Sequence, residues 1–591
     1  MMKSEQIERP KKSLKKEKRR KFWIPVSLLL GMVILFALPI DGVLSPNQHQ
    51  DPTIVFQKSM LQWSTHEIVF PYFIEGSSHR RISIDFQPPF SVIHVDHTFQ
   101  FPTFIASMLH ATVLLQDPAQ NEIECQVWIR VFQNTDAMVF VEFTNELEMN
   151  FPLHYALRYS DENLSQLNSE DRPEVHIFQY SKEDYWEEST KLTVSESPEG
   201  DSKGDAMFGQ FSNEYQQTSS FYTGRVFPYK TLDGGIYQHI DDVEMITYTD
   251  MNDNQECCLS THTMLSKNSS LRDWFVFSAK PLMDIESAVT QKILLITDFG
   301  LKKGYFQDGF YYSTYLSGYL NESPQGFYWD YSMYAPRSIL EYYFEEDQHF
   351  LYDICMNSLV ALLENRNSEG YWSNGTISKW LQEEYGIQDQ YFDTRFCTDA
   401  ALFMLRMYET FEIPEALAGA RKIGDILVDG IRKGFCYETP NYGFMLQDYF
   451  IYSSPSLKVH TSLNHLLNEA SFLILLGEAT QEETYTNAAI RIINGIVATD
   501  EKWKNTANGD LHYAMLPSGE FGLQDYVTLT YHDLIRFRSY TSQYLQEEPA
   551  FVQNLGSWKE EFLVKKNIVH SRKFTGSSPD LSPLVSQEGK R

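Results

Sequence analysis

Between Tyr442 and Arg538 residues that could move a proton or hold a polar ligand gather at the ends of helical patterns. The stretch opens on an aromatic, loop-like run, Tyr442 to Tyr452, with Asp448 inside it. His460 and Asn464 stand at the entry to an apolar helical pattern, and Asp510, His512, Tyr513, Asp525, Tyr526, His532 and Arg536 follow. Phenols, imidazoles and carboxylates gathered where helices start and stop suit general acid–base catalysis, in which a placed side chain takes or gives a proton. Glycoside hydrolysis needs instead two carboxyl groups facing each other across the scissile bond. Asp393, Asp399, Asp448, Asp510 and Asp525 supply candidates, and their spacing singles out no pair. A nucleophilic Ser or Cys triad, a phosphate loop and a dinucleotide fingerprint are absent as motifs. No Cys/His spacing suits zinc, so the reading includes no metal and no cofactor.

Each candidate also has a plain structural role open to it. Tyr is abundant, at 35 residues, so any one of them is more often packing than chemistry. Asp393 suits the cap of a helix, and Arg395 just inside it could pair with Asp393 or Asp399. His460 and Asn464 suit caps as well, and Arg536 beside Arg538 suits a solvated face.

The elements that must position these residues change character along the chain. From about Thr53 to Phe151 short apolar or alternating runs, such as Gln126–Phe132 and Met138–Phe143, predict an antiparallel sandwich. Residues 160–205, rich in Asp, Glu and Ser, read as a long loop or insertion, and strand-like runs resume from Phe221 through Lys292–Thr297. Tyr305 to Tyr343 is dense in aromatic residues. Helical periodicity then predicts helices over Asp347–Glu364, Asp393–Thr410, Pro414–Lys433, Thr461–Leu476, Glu482–Ala498, Tyr531–Leu545 and Pro549–Lys565. Pro414 suits a first turn and Gly477 a C-terminal stop. The expected fold class is multidomain α+β: a β-sandwich-like region over 53–299, an (α/α) toroid over 300–566 and a disordered tail over 567–591. Fold of this kind does not fix function.

Charge sets the expected address. The first 21 residues carry ten Lys or Arg against three Glu, and Phe22–Ile40 is uncharged. That span just crosses a hydrocarbon core, and the basic flank keeps its N-terminal end in the cytoplasm. The expectation is a basic cytoplasmic tail over 1–21, a single-pass transmembrane helix over 22–40, a stalk over 41–52 and external main domains. A cleaved signal peptide would need a clearer small-x-small site than Ala37-Leu38-Pro39 offers. Beyond the anchor 39 basic residues face 76 acidic ones, which excludes long-range attraction of nucleic acid. Six Cys in so large an external region do not make a disulfide scaffold.

The segment from Asp448 to about Phe562 resembles the C-terminal domain of the glucuronyl C5-epimerases of the heparosan and heparan sulfate pathway. The likeness rests on Asp448-Tyr449-Phe450-Ile451-Tyr452, Ser462-Leu463-Asn464, Asp510-Leu511-His512 and Asp525-Tyr526-Val527-Thr528-Leu529-Thr530-Tyr531-His532, in that order. It departs at Gly509, where the family has Tyr, at His512, where it has Arg, and at Ile451 and Tyr452, where it has paired Glu. The resemblance implies an isomerase that removes a proton at C5 of a uronic acid and returns one to the opposite face. In that reading Tyr526 is one acid/base and His512 or Tyr513 the other. Arg395 or Arg536 holds the carboxylate, since a guanidinium fork suits that planar group. Asp448, Tyr452, Asn464 and Asp525 complete the sugar-binding set. A polysaccharide lyase would use the same groups, and the departures also fit a degenerate polysaccharide-binding or assembly protein. The implied partners are a uronic-acid polysaccharide and, through residues 22–40, a lipid bilayer; a homodimer stays open.

Overall fold

The computed structural model describes residues 54–55, 61–74, 79–161, 174–182, 190–196, 201–202, 205–212, 218–240, 245–251, 256–297, 303–313, 326–333, 336–346, 348–373, 377–388, 390–545, 547–569 and 573–574. The expected tail, membrane span and stalk over 1–52 lie outside them. Among the described residues no helix is long and apolar enough to cross a membrane.

Two antiparallel sheets form the first half. One runs in the order Ile54–Val55, Glu67–Ile74, His79–Phe86, Phe151–Ser160, Cys257–Leu265, Met245–Met251 and Asp201–Ser202. The second brings Ser91–Gln100, Ser107–Gln116, Glu122–Val131 and Ala137–Asn145 side by side up to Ser269–Ser278. Beyond that strand it branches. Thr218–Thr223 pairs with one end of it and Phe227–Thr231 with the other, leading to Gly326–Tyr328.

The side-chain period of two divides this second sheet between two cores. Ala137, Val139, Val141 and Phe143 join Ile68, Phe70, Ile82 and Ile84 of the first sheet. Met138 and Phe140 point the other way and join Trp274, Tyr222 and Phe350 in the core shared with the helices. Ser269–Ser278 is consequently buried at every position. Its sequence is continuously apolar only over Trp274–Phe277; the buried charges before that run are paired, Arg272 with Glu142 at 3.1 Å and Asp273 with the Tyr155 hydroxyl at 2.7 Å.

Ten helices follow or interrupt: α1 Ala288–Thr297, α2 Arg337–Glu346, α3 His349–Glu364, α4 Lys379–Tyr385, α5 Thr394–Phe411, α6 Pro414–Arg432, α7 Leu463–Thr480, α8 Glu483–Thr499, α9 Leu529–Thr541 and α10 Ala550–Lys565, counted among the described residues. Helices α2, α5, α7 and α9 pack in sequence as an inner set. Arg337 of α2 reaches the Tyr540 hydroxyl of α9 at 2.9 Å and closes the ring. Helices α3, α6, α8 and α10 pack outside. The pattern follows the sequence: α7 is buried from Leu463 to Gly477, while α6 buries Ala416, Gly419, Ala420, Ile423 and Leu427 on one stripe.

Several expectations change. Lys292–Thr297 belongs to α1, not to a strand. Ser287 Oγ accepts from the Val289 and Thr290 amides at 3.1 and 3.3 Å and starts the helix there. A short apolar run does not by itself distinguish strand from helix. Residues 160–205 hold strands at Glu174–Lys182, Thr190–Glu196 and Asp201–Ser202, with Val175 and Ile177 buried in the sandwich core. Gly477 does not stop α7, which ends at Gln481 in the left-handed region; a Cβ on Gly477 would meet Thr486 Oγ1 at 2.3 Å, so the glycine permits close helix contact. Phe574, inside the stretch expected to be disordered, is buried and would meet any Cβ placed on Gly556 at 2.3 Å. All six cysteines are free thiols.

Candidate active site

Arg395, Asn464 and Asp533, near the starts of α5, α7 and α9, meet through hydrogen bonds of the Arg395 guanidinium, so these three inner helices present their N-terminal ends to one end of the ring. Short β pairs aim the entering chain. Phe392–Asp393 pairs with Tyr449–Phe450, placing Asp393 opposite Tyr449, and Thr461–Ser462 pairs with His512–Met515. Asp393 then caps α5, accepting from the Phe396 amide at 3.0 Å, as its position before Thr394 predicts.

Asp448 is the electrostatic centre of this end. It is fully buried and accepts from the Ser462 amide at 2.7 Å and the Ser462 hydroxyl at 2.6 Å. His460 Nε2 and His465 Nε2 lie 3.2 and 3.6 Å from Asp448 Oδ2. The first is a close contact and not an aligned hydrogen bond, since His460 Nε2 lacks a hydrogen-bond partner. Burial would raise Asp448, but the two imidazoles and Ser462 outweigh it and hold the carboxyl below its usual range. Burial also drives His465 down to about 4, so at neutral pH that ring is uncharged. His460 Nδ1 is 3.0 Å from the Tyr385 hydroxyl, and Trp380 lies over the same imidazole at 4.9 Å between ring centroids.

Around this centre lie polar groups without a hydrogen-bond partner. Besides His460 Nε2 they are Gln447 Nε2, Thr461 Oγ1, Asn464 Oδ1 and both Glu469 oxygens. The Thr394 hydroxyl favours the ionised Glu469 but is itself hydrogen-bonded to His465 Nδ1 at 2.9 Å, and burial pushes Glu469 up to about 8. Asp393, also buried, is pushed up to about 8. One ionised carboxyl and two protonated ones in the same neighbourhood are a usable acid–base set.

The hairpin His512–Met515 with Phe521–Gln524 brings the phenols in. Tyr513 lies 5.7 Å from His460 and meets Tyr526 edge-on at 5.3 Å, centroid to centroid. Both are half-buried, and so is His512. The structure therefore groups Asp448, Tyr513 and Tyr526 of the sequence-predicted residues, with Asn464 and His512 on the flanking elements.

It sets others apart. Arg395 is buried and committed, with Nε on Asp399 at 2.8 Å, Nη1 and Nη2 on Asp533 at 2.7 and 3.0 Å and a further bond to the Asn464 carbonyl. Arg536 makes a looser 3.4 Å contact with Asp533, and its side chain keeps 21% of its surface exposed. Asp525 is taken by Thr530 at 2.7 Å and Lys559 at 2.8 Å. Tyr452 packs against Phe435 and Tyr371 with Lys433 over its ring, on the opposite side of its strand from Tyr449. Alternation decides this: Tyr449 and Ile451 share one cluster, while Phe450 and Tyr452 face another. His460 and Asn464 are not caps, since the residue before α7 is Ser462 and no side chain caps the helix there. Sequence reasoning did not reach Tyr385, Trp380, His465 or Glu469. The last two sit inside an apolar helix, and a polar residue at a position buried by its periodicity was the available signal.

No family model matches the chain, and no curated protein matches it. Among solved structures it is similar to a cellobiose 2-epimerase from Bacillus thermoamylovorans B4167, at 14% identity over 40% of this chain and 59% of that one, TM-score 0.31. It is similar to a family 76 glycoside hydrolase from a bovine Bacteroides thetaiotaomicron strain, at 11% identity over 73% and 75% of the two chains, TM-score 0.33. A D-mannose isomerase matches at 11% identity over 40% of this chain and 58% of its own, TM-score 0.29. The chain thus spans about three fifths of the length of the epimerase and the isomerase. All three are named as enzymes of carbohydrates, and so slight a likeness assigns this chain neither their activities nor their substrates.

Proposed function

We propose that this chain is a carbohydrate-acting enzyme that removes and returns a proton at a sugar carbon, namely C5 of a uronosyl unit in a polysaccharide. The observation that carries the reading is the Tyr526–Tyr513–His460 series of ring contacts backed by ionised Asp448. One of the two tyrosines, acting as the phenolate once its hydroxyl proton has passed to a base such as the adjacent His460 imidazole, takes the C5 proton, the electron pair spreads into the neighbouring carboxylate, and a second group on the opposite face returns a proton. Arg536, with a partly exposed guanidinium, remains the cation for that carboxylate, because Arg395 is spent on Asp399 and Asp533. Trp380, 38% exposed beside His460, offers a face for a sugar ring. The proposed setting is outside a membrane, tethered through residues 22–40.

Incubation with a glucuronic-acid polymer in D₂O tests this. The expected result is deuterium at C5 without chain cleavage. Unsaturated ends mean a lyase, and binding with no chemical change means a degenerate module; either outcome sinks the epimerase reading. A second reading, glycoside hydrolysis, is favoured by the contrast between lowered Asp448 and raised Asp393 and Glu469. New reducing ends without exchange would establish it.

A further inference from the structure

We infer that Lys559 is a positioning residue, clamping the open end of the hairpin so that Tyr513 and Tyr526 are held against each other; its catalytic consequence rests on the reading of those phenols as the acid–base pair. Lys559 lies on outer helix α10 and is fully buried. Its ammonium donates to Asp510 Oδ1 at 2.6 Å, to Asp525 Oδ2 at 2.8 Å and to the Tyr526 carbonyl at 2.8 Å, which uses all three of its protons. Asp510 precedes the first hairpin strand and Asp525 follows the second, across the register pair His512 and Gln524. The ammonium therefore joins the two chain ends where the ladder stops.

Both carboxylates are tied to the backbone or a neighbouring element. Asp510 Oδ1 accepts from the Leu511 amide at 2.8 Å, and the Asp510 carbonyl accepts from Trp558 Nε1 at 2.7 Å. Asp525 Oδ1 accepts from the Thr530 hydroxyl at the start of α9 at 2.7 Å. Trp558 and Lys559, adjacent on α10, thus fix the approach to His512 and Tyr513. The third proton of Lys559 lands on the peptide of Tyr526 itself. A buried ion cluster is a poor device for stability alone, since apolar residues of similar volume often serve as well. What an apolar replacement cannot reproduce is the directed bond to the Tyr526 carbonyl.

The test uses the full chain, with Lys559→Met and the triple change Lys559→Met, Asp510→Leu, Asp525→Leu, which removes the charges together. Thermal melting reports the fold, C5 exchange into a glucuronic-acid polymer reports turnover, and ¹⁹F spectra of 3-fluorotyrosine at 513, 526 and the remote Tyr485 report position. Lys559→Met is expected to lower the exchange kcat about 100-fold with KM within about twofold, the size of a small misplacement of reacting groups. The triple variant is expected to regain thermal stability while kcat stays low, and the 513 and 526 resonances move while 485 does not. Activity that returns along with stability overturns the inference. If the unaltered protein exchanges no C5 hydrogen, the proton-transfer reading fails. The clamp is then judged on the ¹⁹F spectra, and unmoved 513 and 526 resonances in Lys559→Met overturn it.

Discussion

Two buried polar clusters occupy the same end of the helical ring, and they are built on opposite terms. In one, Arg337, Asp399, Arg395, Asp533 and Arg536 pair with one another, and none of their side-chain polar atoms is a buried orphan among the described residues. In the other, His460, Asn464 and Glu469 each keep at least one buried atom without a hydrogen bond. Folding explains the first completely, because buried charges are tolerated when paired. It does not explain the second, where Asn464 Oδ1 and the Glu469 oxygens carry a desolvation cost that no hydrogen bond offsets. The contrast teaches where to look: residues that satisfy one another hold the ring together, and those that do not are poised for something else.

Breaking the paired cluster has the largest expected effect. Arg395→Met leaves Asp533 and Asp399 without their principal cation and lowers stability by about 3–5 kcal/mol, read by urea unfolding. The double change Arg395→Met, Asp533→Leu recovers most of it. No recovery in the double variant would mean that the pairing is not what those residues contribute. Beside the second cluster, at the proposed site, Tyr526→Phe and Tyr513→Phe each lower C5 exchange about 100-fold or more, with melting temperature moved by only a few degrees. Exchange rates within twofold of the starting protein would remove these phenols from the chemistry.

The pH dependence separates two groups within the open cluster. Glu469 is raised to about 8 in the folded chain, so the folded state holds a proton that the unfolded state has released. Its contribution is present at low pH and is lost as pH rises from the ordinary carboxyl value towards 8, at up to about 1.4 kcal/mol per pH unit. Glu469→Gln flattens that loss in urea titrations at successive pH values. His465 runs the other way: lowered to about 4, it costs stability as pH falls from the ordinary imidazole value towards 4, and His465→Gln flattens the acid side. The smallest change expected is Tyr452→Phe, at under about 0.5 kcal/mol in stability and under twofold in exchange. A large loss would return Tyr452 to the site.

The legible part of the architecture was the part written in periodicity. Strands followed by helices, and α5, α6, α8 and α10 to within a residue or two, follow from runs of apolar positions. Helix α2 was hidden among Tyr and Phe between residues 305 and 343, where aromatic density masks a stripe, and α4 spans only seven residues. At the site, Asp448 and Tyr526 were named through the resemblance to the epimerases, and Tyr513 as a neighbour able to replace a group that the resemblance lacks. The commitment of Arg395 to Asp399 was visible as an alternative at a spacing of four, whereas Asp533 lies 138 positions away and no local pattern announces it. Tyr452 was misplaced for a simpler reason: its face depends on where a two-residue pairing sets the alternation.

The strand Ser269–Ser278 serves as a party wall, with the sandwich on one side and Phe350 of α3 on the other. A fragment ending near residue 297 would leave Trp274, Met138 and Phe140 facing water, and a helical fragment alone would lose their cover from Phe350. Neither half is a portable module, so transplanting the ring into another protein would require carrying its sheet along.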